Sequence, residues 1–139
     1  ECQRQDSEDQ GRAEIARAVL EGIAHRGADL VDAAEADSGI TIPHVRVDGG
    51  MTDNPTFVQA LADATQRTVE ISPVREATGL GAALLAGLAV GHHGSVEDLA
   101  TTWRPRESVQ PARVLDRDRW REAVERSRRW IPELSGIDF

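Results

Sequence analysis

With 139 residues, 40% of them hydrophobic and 29% charged, the chain has material for one domain with a core and too little for two. Its net charge of −8 opposes nucleic-acid and anionic-membrane partners, because the field repels phosphates at a distance; any phosphate has to be met locally. All 16 basic residues are arginine, which excludes a lysine Schiff base and a P-loop lysine, and the single cysteine, Cys2, excludes an internal disulfide and a metal clip.

Glu1 to Gln10 is polar throughout and has no apolar periodicity, so it reads as a frayed leader without signal-peptide character, in a cytoplasmic protein. From Gly11 or Arg12 the pattern changes. Ile15, Val19, Ile23, Leu30 and Ala34 recur at helical spacing with Glu14, Arg17, Glu21 and Asp32 between them, which predicts a long amphipathic helix with this stripe as its buried face. The helix is expected to end near Asp37-Ser38-Gly39, where Gly39 suits a left-handed C′ position. Pro43 then stops any helix and leads into a short strand, His44 to Val47.

The strand breaks at Asp48-Gly49-Gly50. Two glycines delivered to a helix start present backbone N–H groups with no Cβ in the way, so an anionic or planar ligand can approach closely. On the local letters alone the same pair is ordinary turn punctuation. Pro55 suits the first position of the next helix, with Asn54 as its N-cap, and Phe57, Val58, Leu61, Ala62 and Thr65 give that helix a face for the strand. Thr68 to Ser72 reads as a second strand closed by Pro73, and helix, strand, helix, strand with short connections predicts parallel neighbours joined by a crossover helix.

Arg75 to Val90 reads as the most buried helix of the chain. Leu80, Leu84, Leu85 and Leu88 alternate there with alanines, and the close approach of another backbone would account for Gly79, Gly81 and Gly87. Its uncharged run from Ala77 to Gly91 falls short of the roughly 20 residues a membrane span needs. Ser95 caps a short helix to about Thr102, Trp103 to Val114 reads as a loop, and a last helix runs from about Asp116 to Trp130, ended by Pro132.

The remaining candidates are weak. His92 and His93 are adjacent and read as solvent-facing loop residues, and His25 and His44 lack partners at ligand spacing. No metal site is expected. The arginines from Arg117 to Arg129 are interleaved with acids and read as a solvated, salt-bridged face, while Trp103, Trp120 and Trp130 are expected to anchor the terminal helix or reach a subunit interface.

Three blocks, "RAEIARAVLEGIAHRGADLVDAAEADSGI", "VRVDGGMTDN" and "EATGLGAALLAGLAVG", stand in order and together resemble the C-terminal region of the FGGY carbohydrate kinases, most of all the glycerol kinases. The resemblance places a C-terminal kinase domain at 11–131, a leader outside the family pattern at 1–10 and a tail at 132–139. It implies an α/β, actin-like (ribonuclease-H-like) fold, with ATP and its Mg²⁺ bound in a cleft and a phosphoryl group moved to glycerol or a related polyol. Gly50 and Asn54 match the family's nucleotide contacts and Gly49 its turn glycine, whereas the same Asn54 can cap the helix at Pro55. The catalytic aspartate, phosphate loops and polyol pocket of the family match no segment, so no catalytic residue is expected in these 139 positions. The implied partners are ATP or ADP, the polyol, and an N-terminal lobe or a second copy. A non-catalytic remnant or interaction module of the same fold is the alternative.

Overall fold

A computed structural model describes residues 2–128 as five helices and three strands. Expectations for Arg129, Trp130, Pro132 and the tail 132–139 lie outside the described residues. Helix α1 (Cys2–Ser38) leads to β1 (His44–Val47); a 3-10 turn (Gly50–Asp53) leads into α2 (Pro55–Thr65), which connects to β2 (Thr68–Ile71). Then come α3 (Ala77–Ala89), α4 (Val96–Thr102), β3 (Glu107–Val109) and α5 (Arg117–Ser127). The sheet order is β1-β2-β3, with β1 and β2 parallel from His44 opposite Thr68 to Val47 opposite Ile71. This is the crossover arrangement that the short connections predicted, and the chain is of the expected α/β class.

The helix α1 begins at Cys2, so the segment expected to fray continues the helix. Gln, Arg and Glu are good helix formers and no proline occurs before Pro43, so nothing in the sequence stops the helix there. It ends where predicted: Gly39 has φ +68 and its N–H donates to Glu35 C=O at 2.9 Å.

The buried stripe of α1 is not the predicted one. Ala24 and Ala28 are 0% and 1% exposed, whereas Ile15 and Leu30 are 68% and 70% exposed. Small residues win because α1 lies close on α2: a Cβ on Gly27 would come within 2.8 Å of Leu61 Cδ1. On α2, Val58, Leu61, Ala62 and Thr65 are buried as the spacing predicted, joined by Ala60, Asp63 and Ala64, and Val69 and Ile71 of β2 complete the core.

Among the described residues Asp63 is the one carboxylate buried in this core. It accepts from Ala112 N–H at 2.8 Å, Arg113 N–H at 3.2 Å, Arg113 Nε at 3.1 Å and Gln59 Nε2 at 2.9 Å. Burial pushes its carboxyl up, but the Ala112 N–H, the Gln59 amide and both Arg113 donors outweigh that and hold it below the usual value. The linker after β3 is thereby fastened to α2, and Arg113 Nη2 reaches on to Glu21 of α1 at 2.6 Å.

Three further expectations are corrected. The segment Trp103–Val114 contains β3, antiparallel to β2 with Val69 opposite Val109; Glu-Ser-Val has no pattern of its own and becomes a strand only by pairing. No residue of α3 is buried, and among the described residues nothing lies within 4 Å of a Cβ built on Gly79 or Gly81. The Arg117 side chain is 15% exposed rather than solvated: its guanidinium donates to Asp29 at 2.6 Å, Asp32 at 3.0 Å and His25 C=O at 2.8 Å. Trp120 does anchor α5, stacking on His25 with centroids 5.0 Å apart and donating to Asp29 at 3.1 Å. Trp103 instead lies under the Arg46 guanidinium, 4.0 Å from its ring centroid, on the polar face of the sheet.

Candidate functional site

The Gly-Gly turn is built by β1 and α2. Val45 and Val47 point to the core and fix the end of β1, so the chain leaves the sheet at Asp48 with its direction set. Gly49 then takes φ +86 and ψ 178, a conformation only glycine adopts without strain. Its carbonyl accepts from Thr52 N–H at 3.1 Å and from Thr52 Oγ1 at 2.7 Å, and Thr52 is buried beneath the turn. Asn54 N–H donates to Met51 C=O at 3.1 Å, closing the 3-10 turn. The local chain is thus held from below and open from above.

Gly50 has a different reason to be glycine. Its φ lies outside the left-handed region, and among the described residues no atom stands within 4 Å of where a Cβ would be. Internal packing therefore does not demand glycine there; the residue leaves a bare backbone facing open space. Of the two roles the sequence leaves open, nucleotide contact and helix capping, the structure shows Asn54 in the cap. Its Oδ1 accepts from Thr56 N–H at 3.1 Å and Phe57 N–H at 3.2 Å, which is the N-cap of α2, with Pro55 at the first helical position. The amide Nδ2 makes no hydrogen bond among the described residues and is the part of the side chain left to a ligand.

Charge around the turn was not foreseen. Asp53 pairs with Arg75, from the loop before α3, and with Arg106 Nη2 at 3.5 Å, from the start of β3. Asp53 thus holds two guanidiniums beside the bare backbone, while Asp48 before Gly49 and Glu107 in the neighbouring cleft add further negative charge around the turn. The two arginines come from segments 22 and 53 residues further on, so sequence spacing gave no sign of them; the aspartate inside the glycine block was the available clue. A cleft of about 660 Å³ opens next to the turn, with Thr52, Asp53, Pro55 and Val58 on one side and Arg106 and Glu107 on the other.

Among the described residues no three His, Cys, Asp or Glu side chains are grouped to hold a metal ion. No described helix is long and apolar enough to cross a membrane. His92 is exposed, and His93 is half-buried against Gly87, where a Cβ would come within 2.7 Å of its ring. That contact closes the end of α3 and accounts for one of its three glycines.

The family described as FGGY family of carbohydrate kinases, C-terminal domain, matches residues 3–90. Glycerol kinase of Petrotoga mobilis is 44% identical over 127 residues, covering 88% of this chain and 26% of that protein. Among solved structures, glycerol kinase of Plasmodium falciparum with ADP aligns at a TM-score of 0.64 and 34% identity, over 92% of this chain and 25% of that one. Xylulose kinase from Rhodospirillum rubrum shares the fold, with a TM-score of 0.67 at 23% identity over 91% of this chain and 26% of that chain. The chain spans about a quarter of the length of these relatives.

Proposed function

The chain belongs to the FGGY family of carbohydrate kinases, and from that premise we propose that it is the nucleotide-binding portion of an ATP-dependent glycerol kinase. In this reading Gly49 shapes the turn, the Gly50 backbone lies against the nucleotide, and Asn54 Nδ2 reaches an adenine edge or ribose. The observation that carries it is the open space over Gly50, a glycine that neither φ nor packing requires. The ADP in the Plasmodium falciparum relative supports the same ligand class.

Phosphoryl transfer needs positioning and charge stabilisation converging on the transferred group from all sides of a cleft. This chain's part in it is binding and orientation. Mg²⁺ enters with ATP, glycerol or a related polyol is the acceptor, and the catalytic base and phosphate loops belong to the lobe that closes over the nucleotide. The setting of the reaction is the cytoplasm. A second reading, a non-catalytic module of the same fold, is favoured by one observation: Asn54 Oδ1 is already committed to the cap of α2.

Titration of the purified chain with ADP, followed through backbone amide NMR, separates the two. Shifts concentrated at Gly49, Gly50 and Asn54 support the kinase reading. A dispersed spectrum that ignores ADP sinks it for this chain alone and favours the module.

A further inference from the structure

Helix α5 is held on α1 by a different kind of contact from α2. The face α2 turns to α1 is mostly apolar, whereas no residue of α5 is buried, and Leu115 just ahead of it is the nearest core side chain. What holds α5 is a polar cluster around His25, a buried imidazole that lies outside the glycine turn and the cleft beside it. The ring stacks on Trp120 with planes 6° and centroids 5.0 Å apart. Its Nδ1 stands 3.2 Å from Arg117 Nη1. A guanidinium only donates, so Nδ1 accepts and the docked ring is neutral, with its proton on Nε2.

Protonation would set a second N–H against the one Arg117 already points at the ring, and the acids nearby are engaged. Asp29, one turn further along α1, gives Oδ1 to Arg117 at 2.6 Å and Oδ2 to Trp120 Nε1 and Arg26 Nη1, both at 3.1 Å. Asp32 accepts from Arg117 at 3.0 Å, and Glu21, one turn back, accepts from Arg17 at 2.8 Å and Arg113 at 2.6 Å. From α5, Asp116 caps the helix through Arg119 N–H at 2.9 Å, and Arg119 lines the cleft beside the ring; from α2 the one charge, Asp63, is held by Arg113. Burial and then the Arg117 charge push the imidazole below its ordinary value, against the smaller pull of Glu21, Asp29 and Asp116. The bond from Arg17 holds Glu21 below the usual carboxylate range; burial pushes Asp29 up, but Trp120 and Arg117 outweigh it. Both acids therefore stay charged while an imidazole titrates.

We infer that His25 is an acid-sensitive latch: the neutral ring accepts from Arg117 and holds α5 on α1, and the protonated ring lets α5 go. The pivot is the linker ahead of α5, because Asp63 keeps the N–H groups of Ala112 and Arg113 and titrates far below the range of a histidine. A helix of 11 residues does not persist alone in water, so release also melts α5. The direction follows from the ring's lowered value: docking is at full strength above the ordinary histidine value of 6.5 and weakens as pH falls below it, by up to about tenfold in the released population per pH unit for one proton. The latch involves neither Gly50 nor Asn54 and stands whether or not the chain binds nucleotide.

Amide hydrogen exchange of the chain between about pH 7.5 and 5, corrected for the intrinsic pH dependence of exchange, tests it. Ala123 reports α5 and Ala62 of α2 is the internal control. Protection at Ala123 is expected to hold down to about pH 6.5 and then fall by up to about tenfold per pH unit, while Ala62 keeps its protection. In His25→Phe, which keeps a ring on Trp120 and leaves Arg117 its bonds to the backbone carbonyl of residue 25, Asp29 and Asp32, Ala123 should lose this pH dependence. A constant ratio of Ala123 to Ala62 protection in the unsubstituted chain overturns the latch, whether both hold or both fall. An unchanged pH dependence in His25→Phe also overturns it and assigns the response to the acids. Should His25→Phe fail to fold, the imidazole signals of His25 in the unsubstituted chain decide: titration below 6.5, together with the loss at Ala123, supports the latch, and titration at or above 6.5 overturns it.

Discussion

Helices α2 and α3 are alanine-rich, apolar and of similar length, 11 and 13 residues, yet their surroundings are opposite. Seven residues of α2 are buried; none of α3 is, and Leu85 is 64% exposed. The difference is one of connection. A helix that joins two paired parallel strands has to lie on their sheet, so α2 is covered by topology as much as by its apolar face. After β2 no parallel strand follows among the described residues to bring α3 back onto the sheet, and composition alone cannot supply a neighbour. Apolarity states what a segment needs; topology decides whether this chain provides it.

Breaking the covered side should cost most at its one charge. Asp63→Ala is expected to destabilise the chain by about 3–5 kcal/mol, since it leaves the Ala112 and Arg113 donors without an acceptor, and urea unfolding reads the loss. The pH dependence has a definite sign. Folding holds the Asp63 carboxyl below its ordinary value, about 3.9, so its contribution is full above that value and is lost as pH falls through the folded-state pKa. Asp63→Asn should therefore flatten the acid limb of the stability profile and leave the neutral region with a constant deficit; an unchanged acid limb removes Asp63 as its source.

A single substitution made on each helix sharpens the contrast. Leu61→Ala, at a residue 6% exposed, should cost about 2–5 kcal/mol, whereas Leu85→Ala should stay within about 0.5 kcal/mol. Equal losses would mean that α3 is packed in solution against something this structure does not contain. Gly81→Ala is the next smaller test. With open space around position 81, alanine should stabilise α3 by about 1 kcal/mol in the chain alone. The same change in a chimera in which this chain replaces the matching quarter of the Petrotoga mobilis glycerol kinase should lose that gain if another backbone approaches there.

Much of the fold was legible because it depends on local chemistry. Asn54-Pro55 announced the start of α2, Gly39 the end of α1, and Val45-Arg46-Val47 a strand, and all three stand where their residue types put them, although the strand expected to be buried is only half-buried. What failed depends on partners distant in sequence. The apolar stripe of α1 lost to Ala24 and Ala28 because the neighbour is another alanine-rich helix, and β3 exists only by pairing with β2. At the site, Gly49, Gly50 and Asn54 were readable as one block, while Arg75 and Arg106 reach Asp53 from two loops that no pattern connects to it. Asp63 did leave a mark, as the lone acid inside Ala-Leu-Ala-Asp-Ala-Thr, an apolar run where a charge calls for a buried partner.

The smallest change to stability carries the sharpest question about the site, because Asn54 serves the fold with one atom and is available to a ligand with another. Asn54→Ala removes both and should cost about 1 kcal/mol of stability, so weakened ADP binding in that variant is ambiguous. Asn54→Asp keeps an oxygen to accept from Thr56 and Phe57, and its charge suits a helix N-terminus, so stability should move by only a few tenths of a kcal/mol, roughly. The amide donor is gone, however. If Nδ2 contacts the nucleotide, ADP affinity should fall by about tenfold, the loss of a hydrogen bond worth roughly 1.4 kcal/mol, with the unfolding midpoint nearly unchanged. Unchanged affinity in Asn54→Asp would confine the residue to capping and leave the Gly50 backbone as the whole of the contact at this turn.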